Sequence, residues 1–143
     1  MLIRDLQKSD LPSVRSLLGE LGYQVDSANL AQRVLSVQSA PGHCVAVAVL
    51  DDAMVGLVHV YERPALEKPC EAVVQALVVE EGHRGEGVGG ALMRTAETWA
   101  RERGVETIML HTRIDRSEAQ ACYAGLGYHT TATSHLMRKK FGR

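Results

Sequence analysis

Between His83 and Leu92 the chain reads HRGEGVGGAL, and Gly85, Gly87, Gly89 and Gly90 crowd around Glu86 and Val88. Four glycines add nothing to a core; they leave backbone that a ligand can approach. If the run joins a strand to a helix, the first helical N–H groups point outward unpaired and, with the helix dipole, form a seat for an anion. Arg84, just ahead of the glycines, adds a charge-assisted donor suited to phosphate oxygens. The alternative is a tight loop with a solvated arginine, and the flanking elements must decide.

Those elements follow from periodicity. EAVVQALVV, Glu71 to Val79, is the strongest strand in the chain, and the glycines follow it directly. Val88, Leu92, Ala96 and Trp99 then recur at helical spacing, predicting a helix from 88 to about 103 that Gly104 ends. Upstream, LIRD opens as a strand. Ser9 can cap a first helix running to Gly22, and Asp26 or Ser27 a second that ends at APG, 40–42. Cys44 to Leu50 and Met54 to Tyr61 read as a hairpin turning at Asp51 and Asp52, with a proline-bearing loop over 62–70. Downstream come a buried strand in ETIMLHT, a helix from Ser117 to Gly127, and two closing strands, Tyr128 to Ala132 and Ser134 to Arg138.

Gly85, Gly87 and Gly90 also satisfy the dinucleotide fingerprint G-x-G-x-x-G, but that reading fails on placement. It wants the loop after the first strand of a long doubly wound fold and an acidic residue ending the next strand. Here the next strand ends in His111 and Thr112, and the loop lies in the second half of the chain. A G-x-x-x-x-G-K-[ST] loop is absent as well.

The 143 residues suit one domain, 1–143, with an aliphatic core: 45% are hydrophobic and only 4% aromatic. Sixteen Lys and Arg against seventeen Asp and Glu give a net charge of −1, so no global field favours nucleic acid or an anionic membrane. The basic end, Arg138, Lys139, Lys140 and Arg143, reads as a solvated terminus. Cys44, Cys70 and Cys122 are too far apart for a C-x-x-C metal or redox motif, which predicts no metal site and a reducing compartment. With neither a membrane-length apolar run nor a secretion signal, the expected location is the cytoplasm.

VVEEGHRGEGVGGALM resembles the Arg/Gln-x-x-Gly-x-Gly/Ala signature of the GNAT N-acetyltransferase family through Arg84, Gly87 and Gly89. RSEAQACYAGLGY resembles a second segment of that family through Ala119, Tyr123, Gly127 and Tyr128, departing from it at Arg116 and Cys122. The order of elements is also similar to that family's. The resemblance implies an α/β (α+β) fold with a mixed, mostly antiparallel sheet of about seven strands and four helices.

It further implies acetyl-coenzyme A as acyl donor, with its pyrophosphate on the amides of Arg84, Gly85, Glu86, Gly87, Val88, Gly89 and Gly90. Its pantetheine would run along the main chain of Leu77, Val78 and Val79, where a bulge in the strand would offer N–H groups to the thioester carbonyl. By the same resemblance Glu71 stands where some members carry a catalytic glutamate, and Tyr123 matches the family's general-acid tyrosine, placed to protonate the departing thiolate. His111, with an ordinary pKa near ~6.5, is the second candidate base. Tyr23, Glu62, Asp115 and Arg116 are candidate walls of the acceptor site. The expected reaction is direct attack of a primary amine, on a small molecule or a peptide, within a ternary complex; a homodimer is a further expectation of the resemblance. The reading from another class is a catalytically silent acyl-coenzyme A sensor or interaction module.

Overall fold

The computed structural model describes residues 1–142; Arg143 lies outside the described residues. Two compact units form, one spanning Met1–His111 and the other beginning at Thr112.

The first unit is a five-stranded sheet: β1 (Leu2–Asp5), β2 (His43–Leu50), β3 (Ala53–Arg63), β4 (Glu71–Val79) and β5 (Ile108–Leu110), in that order across the sheet. β1 to β4 are antiparallel neighbours, β1 joined to β2 through two helices, β2 to β3 by a tight turn and β3 to β4 by a loop, whereas β5 returns through a helix and lies parallel to β4. The hairpin between β2 and β3 turns at Asp51 and Asp52, whose φ of 50 and 62 are the left-handed values such a turn needs. Helices α1 (Leu11–Glu20), α2 (Ser27–Ser39) and α3 (Val88–Glu102) complete the unit.

Alternation along the strands divides the sheet into two faces. On one, Val47, Leu57 and Val78 pack with Val14, Leu17 and Leu30 of α1 and α2. On the other, Gly56 lies so close under α3 that a Cβ there would stand 2.8 Å from Leu92 Cδ1 and 3.0 Å from Val88 Cγ1. Leu92, Met93 and Ala96 of α3 are completely buried. Asp26 caps α2 by accepting the Asn29 N–H at 2.8 Å, as expected. Ser9 does not cap α1: it sits in a 3-10 turn, Lys8–Asp10, and Asp10 takes the N-cap position. Asp10 is buried there, gripped by two Arg4 nitrogens at 2.7 and 2.9 Å.

In the second unit, α4 (Ser117–Gly125) is the one regular element among the described residues. The strands expected at Tyr128 to Ala132 and Ser134 to Arg138 do not form, so the sheet has five strands rather than about seven. Every residue from His129 to Gly142 is exposed. A strand exists only by hydrogen bonding to a neighbour, and β-branched and apolar alternation supplies no partner by itself.

Candidate active site

The glycine run does join a strand to a helix. After β4 a single 3-10 turn, Glu81–His83, leads into the loop, and α3 starts at Val88. Gly85 and Gly87 hold φ of +81 and +85, which a side chain would strain. Gly87 is the N-cap, and the first intrahelical donor is Ala91, whose N–H reaches the Gly87 carbonyl at 3.1 Å. The N–H groups of Val88, Gly89 and Gly90 thus come before the ladder begins, at the positive end of a 15-residue helix. Arg84 bends back to give its Nε–H to the Val79 carbonyl at 3.3 Å, which holds the guanidinium at the junction of strand and loop. His83 Nδ1 and Glu86 Oε1 lie 3.3 Å apart across the same loop.

Strand β4 keeps β3 as a partner along its length but loses β5 part-way. It pairs with β5 only from Ala72 to Val74. Against β3 the register shifts at that same point: Val60 faces Val74, the adjacent His59 faces Ala76, and exposed Gln75 is left over as a bulge. The bulge therefore lies at Gln75, ahead of the expected stretch from Leu77 to Val79. The reason is the end of the parallel ladder, which releases the strand one residue beyond Val74. Leu77, Val78 and Val79 then run on past β5, and across the bulge Leu77 and Val79 turn to the α3 face. Val79 Cγ2 and Leu77 Cδ2 lie 3.6 and 3.9 Å from where a Cβ on Gly89 would stand. The expected cofactor residues thus share one strand–turn–helix corner.

Glu71 is on the opposite face. It pairs with Arg63 at the start of β4, and its Oε1 lies 2.8 Å from Lys68 Nζ and 3.7 Å from Arg63 Nη2. That oxygen is shut off from solvent, yet the ammonium approaches off the hydrogen-bonding direction, leaving it ion-paired but with no hydrogen bond. Arg63 also donates to Met109 Sδ at 3.2 Å.

Sequence reasoning passed over the neighbours of Glu71. His59, Tyr61 and Arg63 occupy alternate positions of β3 and so share a face, and His43 of β2 joins them. His43 Nδ1 is 2.9 Å from His59 Nε2, and the Tyr61 ring stacks on His43 with centroids 5.1 Å apart. Burial, and next the charge of His43, press the His59 pKa down to about 4. The signal was present as a polar or aromatic residue at every second position from 59 to 63, an alternation that carries β3 past Tyr61 into the start of the expected loop over 62–70.

Of the expected acceptor walls, Glu62 points to the α3 side, where it pairs with Arg103, itself stacked 5.1 Å over Trp99. Tyr23 is exposed in the turn after α1, and His111 is exposed beyond the end of β5. In the second unit Asp115 accepts from Arg113 at 2.9 Å, and the Arg116 carbonyl receives the Gln120 N–H at 3.1 Å. Tyr123 is half-buried on α4, edge-on to Tyr128 with centroids 6.1 Å apart. Burial raises its phenol pKa, the Cys122 thiol adds to the rise, and Arg116 opposes it.

Residues 4–128 match the Acetyltransferase (GNAT) family. The chain belongs to that family. It is 28% identical over 117 residues to N-acetyltransferase 8B of Homo sapiens, an alignment covering 80% of this chain and 50% of that protein. It spans about half the length of such relatives. It is 25% identical over 145 residues to aminoglycoside N(6')-acetyltransferase type 1 of Klebsiella aerogenes, covering 96% of this chain and 95% of that enzyme. Among solved structures, AAC(6')-Iy in complex with the bisubstrate analog CoA-S-monomethyl-acetylneamine superposes with a TM-score of 0.87 at 18% identity, covering 98% of each chain. This GNAT chain shares their fold, and among its described residues no helix is long and apolar enough to cross a membrane.

Proposed function

We propose that the chain is an acetyl-coenzyme A-dependent N-acetyltransferase acting on a primary amine. The observation that carries the reading is the opening of β4 at Gln75, one strand length before an anion-binding helix start. The residues fit the cofactor: a diphosphate needs unpaired N–H groups and a cation, which Val88 to Gly90 and Arg84 supply. A pantetheine arm carries amides and needs a free strand edge, which Leu77 to Val79 supply. When bound, acetyl-coenzyme A furnishes an activated acyl carbon.

The remaining work belongs to the protein. N–H groups at and after the Gln75 bulge stabilise the negative charge that develops on the acyl oxygen. Glu71 meets the acceptor: its shielded oxygen lacks a hydrogen bond, and an ammonium group of the acceptor supplies one by displacing Lys68. Tyr123, a phenol protonated at neutral pH in any case and raised further by burial, gives its proton to the leaving thiolate. The Klebsiella relative's name suggests an aminoglycoside as one acceptor to try; small amines and peptide amino termini belong to the same class. A homodimer belongs to the same proposal, because Leu136, Met137 and Phe141 are strongly exposed in a segment without strand partners.

Thermal unfolding with acetyl-coenzyme A, and with NAD as control, tests the cofactor. A ligand at one hundred times its Kd adds ~2.7 kcal/mol if it binds only the folded state, a shift of several degrees. Thiol release is then followed with an aminoglycoside, a polyamine and a peptide bearing a free amino terminus. Stabilisation by acetyl-coenzyme A with no amine-dependent release would make the protein a sensor instead. No stabilisation would remove the cofactor from the reading.

A further inference from the structure

Acetyl transfer from a thioester to an ammonium group releases a proton, and the face that carries Glu71 holds a second group suited to move it. His43 and His59 come from adjacent antiparallel strands and touch through one nitrogen each, Nδ1 of His43 and Nε2 of His59, at 2.9 Å. Neither of the two outer nitrogens, His59 Nδ1 and His43 Nε2, has a hydrogen-bond partner among the described residues. Both rings are half-buried, and neither nitrogen is sealed from solvent without a partner. The pair therefore forms a short wire with two open ends, and Tyr61 stacked on His43 keeps the rings in place.

Its position ties it to the reaction. His59 faces Ala76, the residue after the Gln75 bulge, so the wire starts one strand spacing, about 4.8 Å, from the opened part of β4. Ala76, half-buried, points to the same face as His59, whereas Val78 two residues on is covered by α1 and α2; an amine lying over Ala76 reaches His59 directly or through one water. The charged and titratable groups sharing this face include His43, Tyr61, Arg63 and Glu71, with Lys68 at its rim, and Arg4 of β1, which is paired with Asp10. Glu71 is held by Lys68 and Arg63 at the other end of the β4 pairing, paired with Arg63 four residues beyond His59 on β3.

We propose that His59 and His43 act together as a proton relay for the acceptor amine; this rests on the acetyltransferase reading above. At rest the His59 Nε2–H donates to His43 Nδ1, leaving the lone pair on His59 Nδ1 free. The bound ammonium gives an N–H proton to His59 Nδ1, which frees the nitrogen lone pair to attack the acyl carbon; as the carbon–sulfur bond breaks, the surplus N–H proton leaves to solvent and replaces the one given to the thiolate. The His59 Nε2 proton moves to His43 Nδ1, and the His43 Nε2 proton leaves to water. Both rings end neutral in their other tautomers, and solvent protons reset them between turnovers. Such a relay never stores a charge on His59, which explains how a ring with a pKa of about 4 can serve. A lone imidazole with that pKa would be a poor base for an alkylammonium.

The test uses His59→Asn, His43→Asn and the double variant of the full chain, with the amine most active in the thiol-release screen. Acetyl-coenzyme A affinity and thermal midpoint serve as folding controls and should match the parent. Each single variant is expected to lose about 100-fold in amine-dependent kcat at pH 7. The double variant should lose no more, because a wire cut once is cut. The deficit should shrink above the amine's own pKa, where the amine sheds its first proton to solvent before binding. Near-parental rates, a multiplicative double variant, or a loss that ignores pH would overturn the relay. So would a Glu71→Gln variant that alone removes the pH-dependent limb. These outcomes leave acetyl transfer standing. A parent that releases no thiol with any amine would overturn the acetyltransferase reading and the relay with it.

Discussion

Lys68 Nζ stands 2.8 Å from the shielded Oε1 of Glu71, three residues along the chain, without donating a hydrogen bond to it. The lysine side chain is nearly half exposed, so this ion pair is weak and exchangeable. An acceptor that binds as a cation competes with it. Lys68→Met should therefore lower KM for a cationic acceptor a few-fold while leaving acetyl-coenzyme A affinity unchanged. Steady-state kinetics with each substrate varied in turn checks this, and a raised acceptor KM would mean that Lys68 belongs to the acceptor site rather than competing for it.

Among the described residues the Arg84 side chain makes one long hydrogen bond, to Val79, which leaves most of its guanidinium for an anion. Arg84→Ala should weaken acetyl-coenzyme A binding by about 1.5–3 kcal/mol, the worth of a hydrogen bond to a charged group, or roughly 10- to 150-fold in Kd. Calorimetric titration reads this directly. Dephospho-coenzyme A, which keeps the diphosphate, should show the same loss.

Gly89 has room for a methyl group. A Cβ there meets Val79 Cγ2 at 3.6 Å, an ordinary contact, and the residue is helical. Gly89→Ala should hold or raise the thermal midpoint, since alanine is favoured over glycine in a helix by about 1 kcal/mol. The signature itself admits alanine at this position, and the methyl group would turn toward Val79 and Leu77 of β4, so acetyl-coenzyme A binding should stay within a few-fold of the parent. A lower thermal midpoint or a ten-fold loss of binding would contradict this argument.

How much of this was legible beforehand depended on whether the signal was local. The strand–glycine–helix corner could be read because its chemistry lies within twenty consecutive residues, 71 to 90. The bulge at Gln75 could not be placed, because it depends on where β5 stops pairing, a contact more than thirty residues distant in sequence. The His43–His59 contact was hidden for a similar reason: hairpin register puts residues sixteen apart together, and neither histidine stands out in its own strand. The two closing strands were overread, since the alternation in 128–138 describes a segment able to pair but says nothing of a partner. Arg4 and Asp10 were missed because each reads locally as an ordinary surface charge.

That last pair predicts an acid limb in stability. The Arg4 hydrogen bonds are the largest influence holding the Asp10 carboxyl below its ordinary range, burial opposes them, and the Gln7 N–H, at 2.8 Å, assists. A folded pKa below the unfolded value of about 3.9 means the contribution is complete above that value and is lost as pH falls toward the lower folded pKa. Asp10→Asn should lower the thermal midpoint at pH 7, and the gap to the parent should close as the pH falls through 4. Thermal melts at pH 7, 5, 4 and 3 check it; a gap independent of pH would assign the loss to packing alone.

Tyr123 carries the final prediction. Burial raises the phenol pKa above 10, so the side chain stays protonated throughout the neutral range, as an acid for a departing thiolate requires. Tyr123→Phe keeps the ring that meets Tyr128 edge-on and removes only the hydroxyl. The variant should bind acetyl-coenzyme A as the parent does and lose about 100-fold in kcat with an alkyl thioester. The loss should be smaller with an acetyl thioester of an acidic aryl thiol, which departs without a proton. Measuring kcat for both thioesters with both proteins decides the role: an equal loss on the two donors would make Tyr123 a packing residue, whereas a loss confined to the alkyl thioester requires the proton.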